Sequence, residues 1–232
     1  MNHEQTGENS AMSSNSVAEA YSSEPWWYDL RGFFILSFAY CSTLSVQMNC
    51  FGPHFGKRHL EAACGTGTLL ELLLRWRRWK GLPEVEIVGV DYANSMLEGA
   101  RRRFSRSTNM SFLLGDITRL PFDDGTFDTV NVANAIHCFA RVDEALLEIH
   151  RVLEPGGTIA ANVLLSPRGA GLRAQIARTI NDWGIRKGIL HTPYRREDIR
   201  GRIVRAGFEI LREEQSGNSY QVLARKPDSA SS

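Results

Sequence analysis

The sequence predicts an α/β protein: a mostly parallel sheet of seven strands with helices on both faces, completed by an antiparallel strand pair near the C-terminus. Three observations carry that expectation. Beyond residue 58, short β-rich runs alternate with apolar runs of helical spacing, the pattern of strand–helix–strand crossovers. The last two β-rich runs, "FEILREE" and "SYQVLAR", flank a turn at Ser216, Gly217 and Asn218 that is too short for a crossover, so they pair antiparallel. A chain of 232 residues, 43% hydrophobic, buries one substantial core.

Residues 1–23 are rich in Ser, Asn and Glu and are expected to form a disordered tail, as is the end, 227–232. Residues 24–57 read as an N-terminal helical cap, and 58–226 as the folded domain. The uncharged stretch "FFILSFAYCSTLSVQMNCF", 33–51, is long enough to raise a membrane span. Its Ser, Thr, Gln and Asn side chains would each need a partner in hydrocarbon, so a buried helix is expected, with membrane-surface contact as the lesser reading.

In the domain, "RHLEAA" is a strand leading to a helix from Thr68 to Arg78, and "VEIVGVD" a strand leading to a helix from Asn94 to Arg106. "MSFLLGD", "FDTVNVAN" and "GTIAANVLL" are further strands, and "RVDEALLEIHRVLEPGG" is a helix stopped by Pro155 and Gly156. Basic clusters "RWRRWK" and "ARRRFSR" end two helices, where cations suit the negative end of the dipole. Trp76 and Trp79 are expected on the apolar face of their helix rather than as stacking platforms for nucleic acid.

A formal charge of +1 provides no bulk field for nucleic acid or an anionic membrane. Cys41, Cys50, Cys64 and Cys138 lack the paired spacing of a zinc site or a small disulfide framework. With no secretory pattern at the start, cytoplasmic residence is expected. Composition says nothing of oligomeric state.

In such a sheet, ligands bind outside the carboxyl ends of the strands, and here the first strand runs into Gly65 and Gly67 before a helix. Glycines there let the chain turn sharply and leave space for a ligand facing the helix amides. Asp91 ends the second strand, 24 residues beyond Gly67, where a carboxylate can accept both hydroxyls of a ribose. Asp116 and the Ile117 amide end the third, within reach of a base edge. Three successive tips describe a nucleoside clamp.

"LEAACGTGTLL", "VGVDYANSML", "LLGDITRLPFDDGTFDTV" and "EIHRVLEPGGTIA" resemble, in order, the motifs of class I S-adenosylmethionine-dependent methyltransferases. Within them, the chain is most similar to the small-molecule branch of the ubiquinone/menaquinone biosynthesis enzymes. The resemblance covers about residues 58–165 and implies a Rossmann-like sheet with S-adenosylmethionine as cofactor. By it, Glu61, Ala63, Cys64, Gly65, Thr66 and Gly67 in the first loop hold the methionine part. Asp91 binds the ribose, Tyr92 and Met96 pack on the adenosine, Asp116 and Ile117 hold the adenine, and Asn134 meets the amino group. The aromatic N-terminal stretch "EPWWYDLRGFF" either locks the first helix down or offers Tyr28 as a cap over the sulfonium. Ala63 stands where the family usually has glycine.

His137, in "VANAIHCF", is a candidate base towards a methyl acceptor, or a wall of its pocket. His191 and Tyr194 are candidates for that pocket's lining. The expected activity is transfer of a methyl group by in-line displacement to a small, hydrophobic, lipid-like or quinone-like metabolite. Two other readings share the pocket: a nicotinamide-dependent oxidoreductase, against which Leu70 at the third glycine position argues, and a non-catalytic S-adenosylmethionine-binding partner protein.

Overall fold

A computed structural model describes residues 43–169, 171–186 and 194–228. Its elements are α1 (Leu44–Phe51), β1 (Arg58–Ala62), α2 (Thr68–Trp79), β2 (Glu86–Asp91), α3 (Asn94–Arg103), β3 (Met110–Leu114), β4 (Phe127–Val132), α4 (Val142–Val152), β5 (Leu153–Leu164), α5 (Leu172–Arg186), α6 (Arg196–Arg205), β6 (Glu209–Ser216) and β7 (Ser219–Arg225). The sheet runs β3-β2-β1-β4-β5-β7-β6. β1 to β5 pair in parallel, and β7 pairs antiparallel with both β5 and β6. The strand order reverses between β1 and β4, so the end of β1 lies where this architecture leaves room for a ligand.

Alternation along the strands gives the two faces different chemistry. Leu60, Ala62, Val130, Val132, Ile159 and Ala161 point into one apolar cluster, closed by Ile149 of α4 and by Ile199 and Ile203 of α6. Their neighbours in sequence face the other side. There, Met48 and Phe51 of α1 pack with Leu70 and Leu73 of α2 and Ile87 of β2. Among these apolar groups runs a buried polar band of His59 and Glu61 on β1, Thr129 and Asn131 on β4, and Asn162 on β5. A band of that kind must find its hydrogen bonds inside the protein.

The predicted strands and the C-terminal hairpin are all present. Four expectations need correction. The helix before Pro155 ends at Val152, and β5 starts at Leu153, so "LEPGG" belongs to the strand, opposite a register irregularity in β4. Its Pro155 lacks an amide proton and sits at the strand's entry, where that loss is tolerated. The helix that starts at Asn94 stops at Arg103, one turn short of Arg106. Trp79 is 77% exposed at the end of α2, under the Lys80 ammonium at 4.5 Å, rather than on an apolar face. Arg77, by contrast, is buried: its guanidinium donates to the Gly52 carbonyl at 2.8 Å and the Pro83 carbonyl at 3.1 Å, over the Phe55 ring. Neither carbonyl is near Arg77 in a simple helix-end reading.

The predicted tail at 1–23 and most of the expected cap lie outside the described residues; α1 falls within the predicted 33–51 helix. Among the described residues, no helix is long and apolar enough to cross a membrane.

Candidate functional site

The loop from β1 to α2 takes three left-handed residues in five: Ala63 (φ 59°), Gly65 (φ 56°) and Gly67 (φ 74°). The Cys64 amide continues the strand pairing by donating to the Val90 carbonyl at 3.0 Å. The next amide, of Gly65, donates to Asp91 Oδ2 at 2.7 Å, while the Ala93 amide donates to Asp91 Oδ1 at 2.9 Å. Asp91 thus ties the tips of β1 and β2 together. Each of its oxygens has a further lone pair for another donor.

The two glycines stand in different surroundings. A Cβ on Gly67 would lie 2.7 Å from the Phe104 ring, so the loop is pressed against α3's end. A Cβ on Gly65 would meet nothing within 4 Å, so the loop's outer surface is open there. Arg103 braces the same loop, donating to the Thr66 carbonyl at 3.1 Å and to Thr68 Oγ1 at 2.9 Å. Helix-end dipole reasoning hides this role; the signal available was three consecutive arginines ending a helix that returns to the glycine loop.

Burial pushes the Asp91 carboxyl above its ordinary value, and the Ala93, Gly65 and Tyr92 amides oppose that shift. Burial also pushes the Cys64 thiol well up, with the Asp91 and Glu61 charges adding to the effect, so the thiol is not a nucleophile at neutral pH.

Glu61, at the end of β1, is buried. Its Oε2 lies 3.2 Å from His59 Nε2 and accepts a long bond from Asn131 Nδ2 at 3.4 Å. Asn131 Oδ1 is buried and has no partner among the described residues. At β1's tip, then, stand a carboxylate and an unsatisfied amide oxygen, both acceptors.

Asp116, past β3, is otherwise engaged. Its Oδ1 accepts from the amide and hydroxyl of Thr118, both at 2.8 Å, and its Oδ2 pairs with Arg141 at 3.1 Å. The Ile117 side chain packs against the main core. Tyr92 and Leu114, at adjoining ends of β2 and β3, are large apolar side chains left exposed, whereas Met96 of α3 is buried.

Asn134 adopts φ 56° after β4. Its amide donates to Asn162 Oδ1 at 2.6 Å, and its Oδ1 accepts from Asn162 Nδ2 at 2.7 Å and Gln47 Nε2 at 2.9 Å. Side chain and N–H are therefore engaged with Asn162 of β5 and Gln47 of α1, which together tie that helix to the sheet. His137 follows in a 3-10 turn (Ile136–Cys138) and is buried, which lowers its pKa to about 3. Its imidazole is neutral at physiological pH and a weak base.

Tyr194 is buried beside a cleft of about 270 Å³ lined also by Phe139, Arg141, Asp143 and Arg202. Its amide donates to the Leu164 carbonyl, so this wall hangs directly from the end of β5. Tyr28 and His191 lie outside the described residues.

Comparison with known proteins agrees with this geometry. Residues 60–161 match the family described as "Methyltransferase domain". The chain is 44% identical over 104 residues to the demethylmenaquinone methyltransferase of Thermus thermophilus, covering 44% of this chain and 45% of that protein. It is 35% identical over 117 residues to the ubiquinone/menaquinone biosynthesis C-methyltransferase UbiE of Dinoroseobacter shibae, covering 49% and 45%. The chain thus spans less than half the length of these two relatives. In fold it is similar to a SAM-dependent methyltransferase of Aquifex aeolicus (TM-score 0.63, 17% identity, 88% of this chain and 100% of that one). It is also similar to the [4+2]-cyclase SpnF (TM-score 0.61, 21% identity, 80% of each chain), so the fold by itself does not dictate the reaction. The glycine loop, Asp91 and the parallel strands β2 to β4 fall within the matched segment, so residues 60–161 are similar to the methyltransferase-domain family over the part of the chain that builds this site.

Proposed function

We propose that this chain is an S-adenosylmethionine-dependent methyltransferase acting on a small, hydrophobic, quinone-like acceptor. The observation that carries the reading is the Gly65–Asp91 tie, which sets a half-buried carboxylate, an open glycine turn and a second, buried carboxylate, Glu61, at adjoining strand tips. These residues fit the cofactor. Asp91 keeps acceptor capacity for two hydroxyls, Asn131 Oδ1 lacks a donor, and the space over Gly65 is clear.

Within this reading, Asp91 holds the ribose and Glu61 the methionine ammonium. The exposed Tyr92 and Leu114 flank the adenine, while the Asn134 carbonyl faces the amino-acid end. Asp116 meets the base only by sharing its oxygens with Arg141 and Thr118, so the Ile117 amide is the better candidate there. The cofactor supplies a methyl group already activated for displacement. What remains for the chain is to align an acceptor and exclude water, which can contribute several kcal/mol without a covalent enzyme intermediate.

His137 serves in this account as a neutral wall and hydrogen-bonding group of the acceptor pocket, since a base of pKa about 3 takes a proton poorly. The relatives' printed names, demethylmenaquinone methyltransferase and C-methyltransferase, support a quinone-like ring as acceptor. An acceptor screen with labelled methyl donor tests this: label transferred to demethylmenaquinone-like quinols supports the proposal, and label passing only to polar amines or to none contradicts it.

A further inference from the structure

His59 lies one alternation behind Glu61 on β1, so both side chains leave the same face of the sheet, and each stands beside its β4 neighbour: His59 by Thr129, Glu61 by Asn131. His59 is completely buried. Its ring stacks on Phe55 with centroids 4.0 Å apart and planes 24° from parallel, which fixes the ring's plane. Both nitrogens are used: Nδ1 is 2.9 Å from Thr129 Oγ1, and Nε2 is 3.2 Å from Glu61 Oε2. The Thr129 hydroxyl is held in turn by the Gly56 amide, which donates to it at 2.8 Å, and by Asp128 Oδ1 at 3.1 Å.

Proton accounting gives the chain a direction. A carboxylate at Glu61 can only accept, so Nε2 carries a proton towards it. Thr129 has one proton for two acceptors. If it goes to Nδ1, the ring is neutral; if it goes to Asp128, both ring nitrogens donate and the ring is an imidazolium. In either state the imidazole donates to Oε2. Both hydrogen bonds of Glu61 therefore fall on one oxygen, and Oε1 keeps its lone pairs for a donor outside the chain.

We infer that His59 is a positioning residue for the cofactor's amino-acid end: through Glu61 it fixes the carboxylate that receives the methionine ammonium. This rests on the methyltransferase reading above. It assigns a role to a residue that touches no ligand itself, and it makes a specific demand on affinity. Ligands carrying the ammonium should depend on His59, and ligands lacking it should not.

The test compares S-adenosylhomocysteine with 5′-methylthioadenosine, which has the same adenosine and sulfur but no amino-acid end, by calorimetry on the full chain. For His59→Leu, S-adenosylhomocysteine affinity should fall about tenfold or more, as for loss of a charge-assisted contact, with 5′-methylthioadenosine bound as before. His59→Gln, which can still donate to Glu61, should restore most of the loss. Thr129→Val removes the outer support only and should lower the ratio of the two affinities about threefold; if His59→Leu does not fold, this variant decides. An unchanged ratio in the variants, or equal losses for both ligands, overturns the inference. Failure of the unaltered chain to bind either ligand would instead overturn the methyltransferase reading on which it stands.

Discussion

The Gly65 amide donates to Asp91 Oδ2 at 2.7 Å, joining the turn after β1 to the end of β2 by one hydrogen bond. Its consequence is that the turn's shape and the carboxylate's position are a single feature. A change at either residue should be felt at the other.

Ala63 supplies the first prediction. It holds φ 59°, a left-handed conformation that costs an L-residue about 1–2 kcal/mol, against which glycine's greater unfolded freedom costs about 0.4–1 kcal/mol. Ala63→Gly should raise stability by about 0.5–1 kcal/mol, the difference of the two. Urea unfolding reads this directly, and a lower midpoint would show that the alanine methyl makes packing contacts worth more than the strain.

A second concerns Arg77. Truncation to Ala leaves the Gly52 and Pro83 carbonyls without their donor and uncovers the Phe55 ring. Bonds from a charged donor and a cation over a ring together suggest a loss of about 2–4 kcal/mol. Trp79→Ser on the same helix should change stability by less than about 0.5 kcal/mol, since the ring is mostly in water. Equal losses for the two variants would refute this division of α2.

The contrast between these two residues shows what the sequence could and could not disclose. The strand runs, the antiparallel hairpin and the ligand-facing loop follow from patterns of a few residues: alternation, glycines after an apolar run, a turn too short to cross over. Arg77, Arg103 and His59 belong to another class. Each looks ordinary in its local run and takes its role from partners far along the chain, at Gly52, Thr66 and Thr129, which no local periodicity encodes. Helix α6 was open to reading, with Glu197 and Asp198 in its first turn and Ile199 and Ile203 one turn apart, but its four arginines gave it a polar appearance. Asp116 is the reverse case: a clear motif carboxylate whose pairing with Arg141 appears only in three dimensions.

His137 gives a pH prediction. Its pKa falls from 6.5 to about 3 on folding, so the unfolded chain binds the extra proton across that window. With a folded value below the unfolded one, this contribution is complete above about pH 6.5 and is lost on acidification towards 3, at about 1.4 kcal/mol per pH unit. Between pH 7 and 4.5, His137→Leu should therefore lose about 2–3 kcal/mol less stability than the unaltered chain. Parallel losses would mean that the imidazole is protonated in place or reached by water.

The methyltransferase reading requires that Asp91, at the joined tips of β1 and β2, grips the sugar of an adenosine. Calorimetric titration with S-adenosylhomocysteine, on the unaltered chain and on Asp91→Ala, decides this. The prediction is one site per chain, with affinity falling at least about tenfold in the variant, as expected for losing a contact worth about 1.5–3 kcal/mol. Binding of equal strength in both proteins, or none in the unaltered chain, would contradict it.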